Sequence, residues 1–289
     1  MSKKNLKQVI EKKNILSICG VYDSISAKIA EKAGFDALWA SGLSICCSLG
    51  LPDLSIISMS ELLNSTKVIS DNSKLPVIAD CDTGFGGIGN IIRTVELFES
   101  SGVSAVCFED KVFPKVNSFL DQVPSKMLSP QHFAQKIKAS VGARDSEDFL
   151  IFARIESLIC GETVEQAITR AKIYADAGAD AILIHSKEKT HFEIKEFMKY
   201  YKIDLPVVIV PTIYANHTIN EFEELGIKMV VYANQCIRAN IQSMEKVLFS
   251  IIKNGGSGHL EAEIASIEDV FSYQNLKPTM EVIKSYENC

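Results

Sequence analysis

Asp80-Cys81-Asp82 sets two carboxylates two residues apart at the end of an apolar run, and the next such run closes on Glu109. In an extended strand a period of two puts Asp80 and Asp82 on one face and Cys81 on the other. Asp53 follows an earlier run, in a loop. Four carboxylates with no histidine or cysteine beside them suit a hard, oxygen-liganded cation, magnesium before zinc. Magnesium takes one or two carboxylates directly and keeps its waters, so the remaining acids would act through water. Acids that only cap helices or pair with lysines are the plainer alternative. Arg154 and His185 end two further runs. From 110 to 130 neither a helical nor a strand period survives, and the stretch carries Lys111, Lys115 and Lys126 among three prolines. A loop of this length in a compact domain is a candidate lid. Following Glu109, it would hang over the acids and bring Lys115 and Asn117 with it, although a solvated excursion would read the same way. Cations above an acidic floor, with Arg154 and His185 on the wall, describe a pocket for a small phosphorylated or polycarboxylate anion.

Such groups converge only if something brings the ends of the runs together. Short β-branched runs recur at 15–21, 37–40, 76–80, 104–108, 149–155, 181–184, 206–210 and 228–233. Amphipathic stretches alternate with them, as at 24–34, 90–102 and 163–180, and several close on a glycine: Gly34, Gly102, Gly178 and Gly226. Strands alternating with helices predict a parallel α/β sheet, and eight such units predict its closed form, the (β/α)8 barrel. An open doubly wound sheet is the structural alternative. Each run ends in polar residues, from Ser41-Gly42 through Arg154-Ile155-Glu156 and His185-Ser186 to Pro211-Thr212 and Asn234. The carboxyl ends of barrel strands share one mouth, where barrels of this kind do chemistry.

Composition narrows the class. The 289 residues, 47% hydrophobic and 23% charged, suit one barrel domain, which needs about 250. We expect it to span 1–289, with a gating loop at about 110–130 and a helical tail at about 259–289. A net charge of −6, with no long basic run, argues against nucleic acid as a partner. No apolar stretch is long enough for a membrane span, and the amino terminus has no apolar signal core behind its charges. Eight cysteines are scattered with no C-x-x-C, so free thiols and a cytoplasmic location are expected rather than disulfides or a zinc site. The string from Gly84 to Gly89 satisfies G-x-G-x-x-G, but it follows the third run and two aspartates that would repel a pyrophosphate. It reads better as a tight turn under the acidic cluster.

Several strings carry a resemblance over most of the chain, from about 20 to 274. They are LWASGLS at 38–44, DCDTGFG at 80–86, ARIE at 153–156, IHSK at 184–187, IVPT at 209–212 and, above all, EDKVFPKVNS at 109–118. These are similar to the phosphoenolpyruvate mutase family of the isocitrate lyase/phosphoenolpyruvate mutase superfamily. The resemblance implies a (β/α)8 barrel whose last helix is exchanged with a partner subunit, assembled as a dimer of dimers. It implies Mg2+ bound directly by Asp80, with Asp53, Asp82 and Glu109 holding its waters. Backbone amides around Ser41, Gly42 and Leu43 would receive the pyruvyl part of a substrate, with Trp39 packed against it. Arg154, His185 and Asn117 would surround the phosphoryl group, Lys115 would close with the gate, and Asp53 is near enough to be suspected as a nucleophile. The implied reaction interconverts phosphoenolpyruvate and 3-phosphonopyruvate. Phosphonopyruvate formation runs uphill, so a biosynthetic role would need coupling to a phosphonopyruvate decarboxylase.

Three alternatives stay open. A phosphonopyruvate hydrolase would share the floor and differ near Asn117. The superfamily's C–C lyases carry a cysteine in a lysine-cysteine-glycine-histidine gate string, where this chain has Lys115-Val116-Asn117-Ser118. A non-catalytic ligand-binding barrel would have lost Asp80, Arg154 or Lys115, and all three are present.

Overall fold

The structure, a computed structural model, describes residues 4–118, 120 and 126–287. Eight parallel strands run in sequence order around a closed barrel: β1 (Leu16–Val21), β2 (Ala37–Ala40), β3 (Val77–Asp80), β4 (Ala105–Glu109), β5 (Leu150–Ile155), β6 (Ala181–Ile184), β7 (Val207–Ile209) and β8 (Met229–Tyr232). The last strand pairs with the first, Leu16 opposite Met229. The predicted (β/α)8 architecture is thus the one found, and the open sheet is excluded.

A period of two explains both the core and the mouth. Ala37 and Trp39, Ala105 and Cys107, Leu150 and Phe152, Ala181 and Leu183, Val208 and Val210, and Met229 and Val231 pack in one buried cluster inside the barrel, which Leu6 of the helix Leu6–Lys12 joins. One step further along the same alternation stand Ser41, Glu109, Arg154, His185, Thr212 and Ala233. The polar site is therefore the next rung of the ladder that builds the apolar core.

Helices separate the strands and start and stop where local chemistry requires. Asp23, Ser58, Thr163 and Thr218 each accept a hydrogen bond from the backbone N–H three residues on, fixing the starts of Ser24–Ala33, Met59–Asp71, Val164–Asp176 and Ile219–Glu224. Gly34 and Gly178 follow helices with φ of 91° and 97°, a conformation that favours glycine.

The chain divides into two compact units, residues 1–235 and 236–289. The first contains the barrel. The second is helical, with most of Gln235–Asn254 followed by Ile267–Tyr273 and Leu276–Glu287, and it exposes Leu248, Phe249, Ile252, Ile267 and Tyr286. No helix among the described residues is long and apolar enough to cross a membrane. The described cysteines are free thiols, and burial pushes the Cys46 thiol up to about 12, which leaves it inert at neutral pH.

Candidate active site

At the carboxyl ends of the strands lies a narrow cavity of about 50 Å³. Nine residues singled out from the sequence line it: Trp39, Ser41, Leu43, Asp53, Asp80, Lys115, Asn117, Arg154 and His185. Gly42, Asp82 and Glu109 lie against it. An ideal Cβ on Gly42 would stand 3.6 Å from Asp82 Oδ1 and 3.8 Å from Asp80 Oδ2, so both carboxylates converge on that glycine. Arg154 Nε is 3.5 Å from Glu109 Oε2, as expected from the β4–β5 register, which sets Glu109 beside Arg154.

Asp80 and Asp82 meet by a different route from the one their spacing predicts. β3 stops at Asp80, and Asp82 sits in the left-handed region at φ 50°, so the two are not successive same-face positions of one strand. Past Asp80 the chain turns, with Gly84 N–H donating to the Cys81 carbonyl, while Glu109 N–H on the neighbouring strand still reaches the Asp82 carbonyl. Gly84 tolerates that turn at φ 85°, where an added Cβ would meet Ile91 Cδ1 at 2.0 Å. Lys136, buried on the helix Pro130–Ala143, pins the turn by donating to the carbonyls of Thr83 and Gly86, both at 2.9 Å.

The loop after β4 is better ordered at its feet than its sequence suggests. Lys111 and Met127 form an antiparallel bridge, Val112 N–H donates to the Lys126 carbonyl, and Leu128 N–H donates to the Asp110 carbonyl. Phe119 and residues 121–125 of this loop lie outside the described residues. Its near limb folds over the mouth. Lys115 Nζ lies 2.8 Å from Asp53 Oδ1 and 2.9 Å from Asp82 Oδ1, and Asn117 Nδ2 donates to Asp53 Oδ2 at 2.5 Å. Burial would raise the Asp53 pKa, but the Lys115 charge and the bonds from Lys115 and Asn117 outweigh it and hold that carboxyl below the ordinary range. Asp82 lacks such compensation: burial pushes it up to about 7 against the pull of Lys115. Asp80 is raised as well, by burial first, with Arg154 opposing.

One centre of this arrangement was not singled out from the sequence. Glu156, just past β5, accepts from Arg154 Nε (2.5 Å) and His185 Nδ1 (2.8 Å) on Oε1 and from Ser118 Oγ (2.7 Å) on Oε2, which also forms an ion pair with Lys111 Nζ (2.9 Å). Burial alone would raise its pKa; Arg154, His185 and Lys111 together hold it well below the ordinary value. An ionised Glu156 only accepts, so the proton at this contact is on His185 Nδ1. Burial lowers the His185 pKa, which favours the neutral ring. Arg154 Nη2, 3.1 Å from the same nitrogen, is then a neighbour and not a donor. Outside the barrel wall, Asp110 accepts from Glu156 N–H (2.9 Å), Tyr174 Oη (2.7 Å) and Arg170 Nη1 (3.3 Å). The alternation that turns Glu109 inward and Asp110 outward was the available signal for this outer cluster.

The mouth is short of positive charge. Five acids, Asp53, Asp80, Asp82, Glu109 and Glu156, face three bases, Lys111, Lys115 and Arg154, and the excess of acids shows in the raised pKa values of Asp80 and Asp82. Burying an unpaired charge costs several kcal/mol. Both oxygens of Glu109 are buried and take no hydrogen bond, and Asp82 Oδ1 is off the line of a hydrogen bond to Lys115. Among the described residues no three acidic, histidine or cysteine side chains are drawn up as a finished cage. A hard divalent cation needing one or two direct carboxylates and several waters matches this excess of charge and these unbonded oxygens.

A closed parallel barrel with acids, an arginine and a histidine at its carboxyl-terminal mouth defines an enzyme of the (β/α)8 class. A family model described as phosphoenolpyruvate phosphomutase matches residues 6–252. The chain is 37% identical over 281 residues to the phosphoenolpyruvate phosphomutase of Tetrahymena pyriformis, covering 97% of this chain and 94% of that one. Its fold is similar to the crystal structure of phosphoenolpyruvate phosphomutase from Streptomyces platensis subsp. rosaceus, with a TM-score of 0.97, 38% identity and 99% of each chain covered. It is also similar to a phosphonopyruvate hydrolase solved with oxalate and Mg2+, with a TM-score of 0.93, 34% identity and 99% of each chain covered. The chain belongs to the phosphoenolpyruvate phosphomutase family of the isocitrate lyase/phosphoenolpyruvate mutase superfamily.

Proposed function

We propose that this enzyme interconverts phosphoenolpyruvate and 3-phosphonopyruvate with magnesium bound at the acidic floor. The observation that carries this reading is the seal over the mouth. Lys115 and Asn117 together occupy both oxygens of Asp53 and leave a cavity of only about 50 Å³. Transfer of a phosphoryl group from the enol oxygen to C3 of the same three-carbon fragment succeeds only while water stays out. A hydrolase needs the opposite.

The residues suit a transfer that asks for positioning and charge stabilisation more than covalent chemistry. The P–O bond breaks and a P–C bond forms at C3 through a loose, metaphosphate-like transition state, and no proton is gained or lost. Arg154 and His185, oriented by Glu156, hold the phosphoryl oxygens, and Asn117 reaches them from the gate. Gly42 and Leu43 open the helix Gly42–Ser48, and first-turn amides have no carbonyl one turn back. They receive the pyruvyl oxygens, with Trp39 packed alongside. Asp80 would hold the metal directly and Asp53, Asp82 and Glu109 its waters. When bound, magnesium supplies electrostatic stabilisation of the enolate oxygen. The apolar residues exposed on the second unit support its burial against another copy, in a dimer of dimers with the last helix exchanged.

Incubation with 3-phosphonopyruvate and Mg2+, followed by 31P NMR with and without EDTA, tests this. Metal-dependent appearance of the phosphoenolpyruvate ester signal is expected. Inorganic phosphate with pyruvate would make the enzyme a hydrolase. No conversion in either direction would overturn both readings.

A further inference from the structure

Glu156 is a four-way junction. One oxygen holds Arg154 and His185, which belong to the barrel wall, and the other holds Lys111 and Ser118, which belong to the loop after β4. Both acids and bases here are sealed off: the side chains of Glu156 and Lys111 are 0% and 1% exposed. Proton directions in the loop limb are fixed. Lys111 Nζ donates to Ser118 Oγ (2.6 Å) and to the Val116 carbonyl (3.3 Å), so the single proton of Ser118 goes to Glu156. The feet of the loop are tied to the same junction. Asp110 holds Glu156 N–H, and Arg170 bridges from Asp110 to the Leu128 carbonyl (3.1 Å) at the far foot.

We propose that Glu156 is a positioning residue through which closure of the loop and alignment of Arg154 and His185 become one event, with Ser118 as the latch. The wall side of this coupling rests on the reading of Arg154 and His185 as phosphoryl-holding groups; the loop side does not. If Ser118 leaves with its loop, Oε2 loses its hydrogen bond and keeps only the Lys111 ion pair, while Lys111 loses Ser118 Oγ and the Val116 carbonyl. Lys111 is then drawn onto Glu156 or towards Glu109 Oε1, now 3.8 Å away. The carboxylate turns, and its grip on Arg154 and His185 moves with it. A displacement of that kind is costly because a misplacement of about 1 Å at a catalytic group can lower the rate by about 100-fold.

The test compares wild type with Ser118→Ala, Ser118→Thr, Glu156→Gln and the Ser118→Ala/Glu156→Gln pair. Turnover of 3-phosphonopyruvate and its partition between phosphoenolpyruvate and inorganic phosphate are read by 31P NMR. Tryptic cleavage after Lys115, buried under the closed gate, is timed in Mg2+ and oxalate. Ser118→Ala should lower kcat by about 10–50-fold with KM within about threefold, raise the share of inorganic phosphate, and speed the cleavage about tenfold. Ser118→Thr, which keeps the hydroxyl, should restore all three. Glu156→Gln should speed the cleavage although residue 156 is not in the loop, and the double variant should be no worse than the worse single one. A residue that only stabilises the fold would lower the thermal midpoint and leave partition and cleavage unchanged, which would overturn the proposal. So would faster cleavage in Ser118→Ala with kcat and partition at wild-type values. If Glu156→Gln does not fold, the Ser118 pair decides. If wild type leaves 3-phosphonopyruvate untouched, the mutase reading falls and cleavage of Glu156→Gln still decides the coupling.

Discussion

Glu109 and Glu156 both turn into the barrel mouth from adjacent strand ends, both are sealed from solvent, and both flank Arg154, at 3.5 and 2.5 Å from its Nε. Glu156 takes three hydrogen bonds and a Lys111 ion pair on its two oxygens, whereas neither oxygen of Glu109 takes a hydrogen bond. Folding has already satisfied the first, so its charge serves to orient other groups. The second carries an unmet demand, at a place where negative charge is in excess. A buried, unbonded carboxylate costs several kcal/mol that a structural residue would have no reason to bear, and a cation with its waters would remove that cost. Bonding state, more than burial or residue type, separates the group with free oxygens from the group already tied to its neighbours.

That contrast is broken most sharply by removing each charge in turn. Glu109→Gln should lower kcat/KM by about 100–1,000-fold, the scale seen when charge-stabilising or metal-supporting groups are lost. It should leave the thermal midpoint unchanged or raised, because no hydrogen bond is broken and the repulsion among the acids falls, against only the long ion pairs to Arg154 (3.5 Å) and Lys111 (3.8 Å). Loss of stability together with activity would show that Glu109 is a structural acid.

Glu156→Gln should do the reverse to the fold, costing about 2–3 kcal/mol at neutral pH in chemical denaturation, since Arg154 and Lys111 lose a buried counter-charge. The sign of the pH dependence follows from its depressed pKa. Above the ordinary glutamate value of about 4.3 the ionised group lends its full stability. As the pH falls below that value the folded state resists protonation while the unfolded state does not, and the contribution is lost with a slope of up to about 1.4 kcal/mol per pH unit. The gap between wild type and variant should therefore be widest near neutrality and close on acidification. A gap that stays constant with pH would mean the carboxylate acts by shape alone.

The barrel, its strand bounds and the ring of polar strand ends were legible because one period of two governs them all, and Ser41, Glu109, Arg154 and His185 follow the same count as the apolar core beneath them. Asp82 was reached by a count that did not apply, since the strand ends at Asp80 and a left-handed turn delivers the second carboxylate. The meeting of Glu156, Ser118 and Lys111 at one carboxylate was hidden for a different reason. Their partners lie 7, 38 and 45 residues away in the chain, and nothing local marks a glutamate as a junction. Pairing between the feet of the gating loop was equally hidden, because two isolated backbone bonds leave no hydrophobic period. Motif resemblance supplied the chemistry of the gate, while the geometry supplied the reason it can hold.

The smallest change expected lies one step outside the site. Tyr174 donates to Asp110 Oδ2 at 2.7 Å and accepts from Arg170 Nη1 at 3.0 Å, and Asp110 in turn holds the backbone of Glu156. Tyr174→Phe removes the hydroxyl but keeps the ring, which packs edge-on against Phe133 with centroids 4.8 Å apart. The loss of two hydrogen bonds, each at a group that keeps other partners, should cost about 1–2 kcal/mol of stability. Asp110 retains Glu156 N–H and Arg170, so the seat of Glu156 persists and turnover should stay within about twofold of wild type, well inside the tenfold that 1.4 kcal/mol of barrier would produce. A stability loss with unchanged partition between phosphoenolpyruvate and inorganic phosphate would place this outer clamp with the satisfied, structural groups. A rise in inorganic phosphate would instead extend the coupled network through the barrel wall, and Asp110 would then act with Glu156 and not merely beneath it.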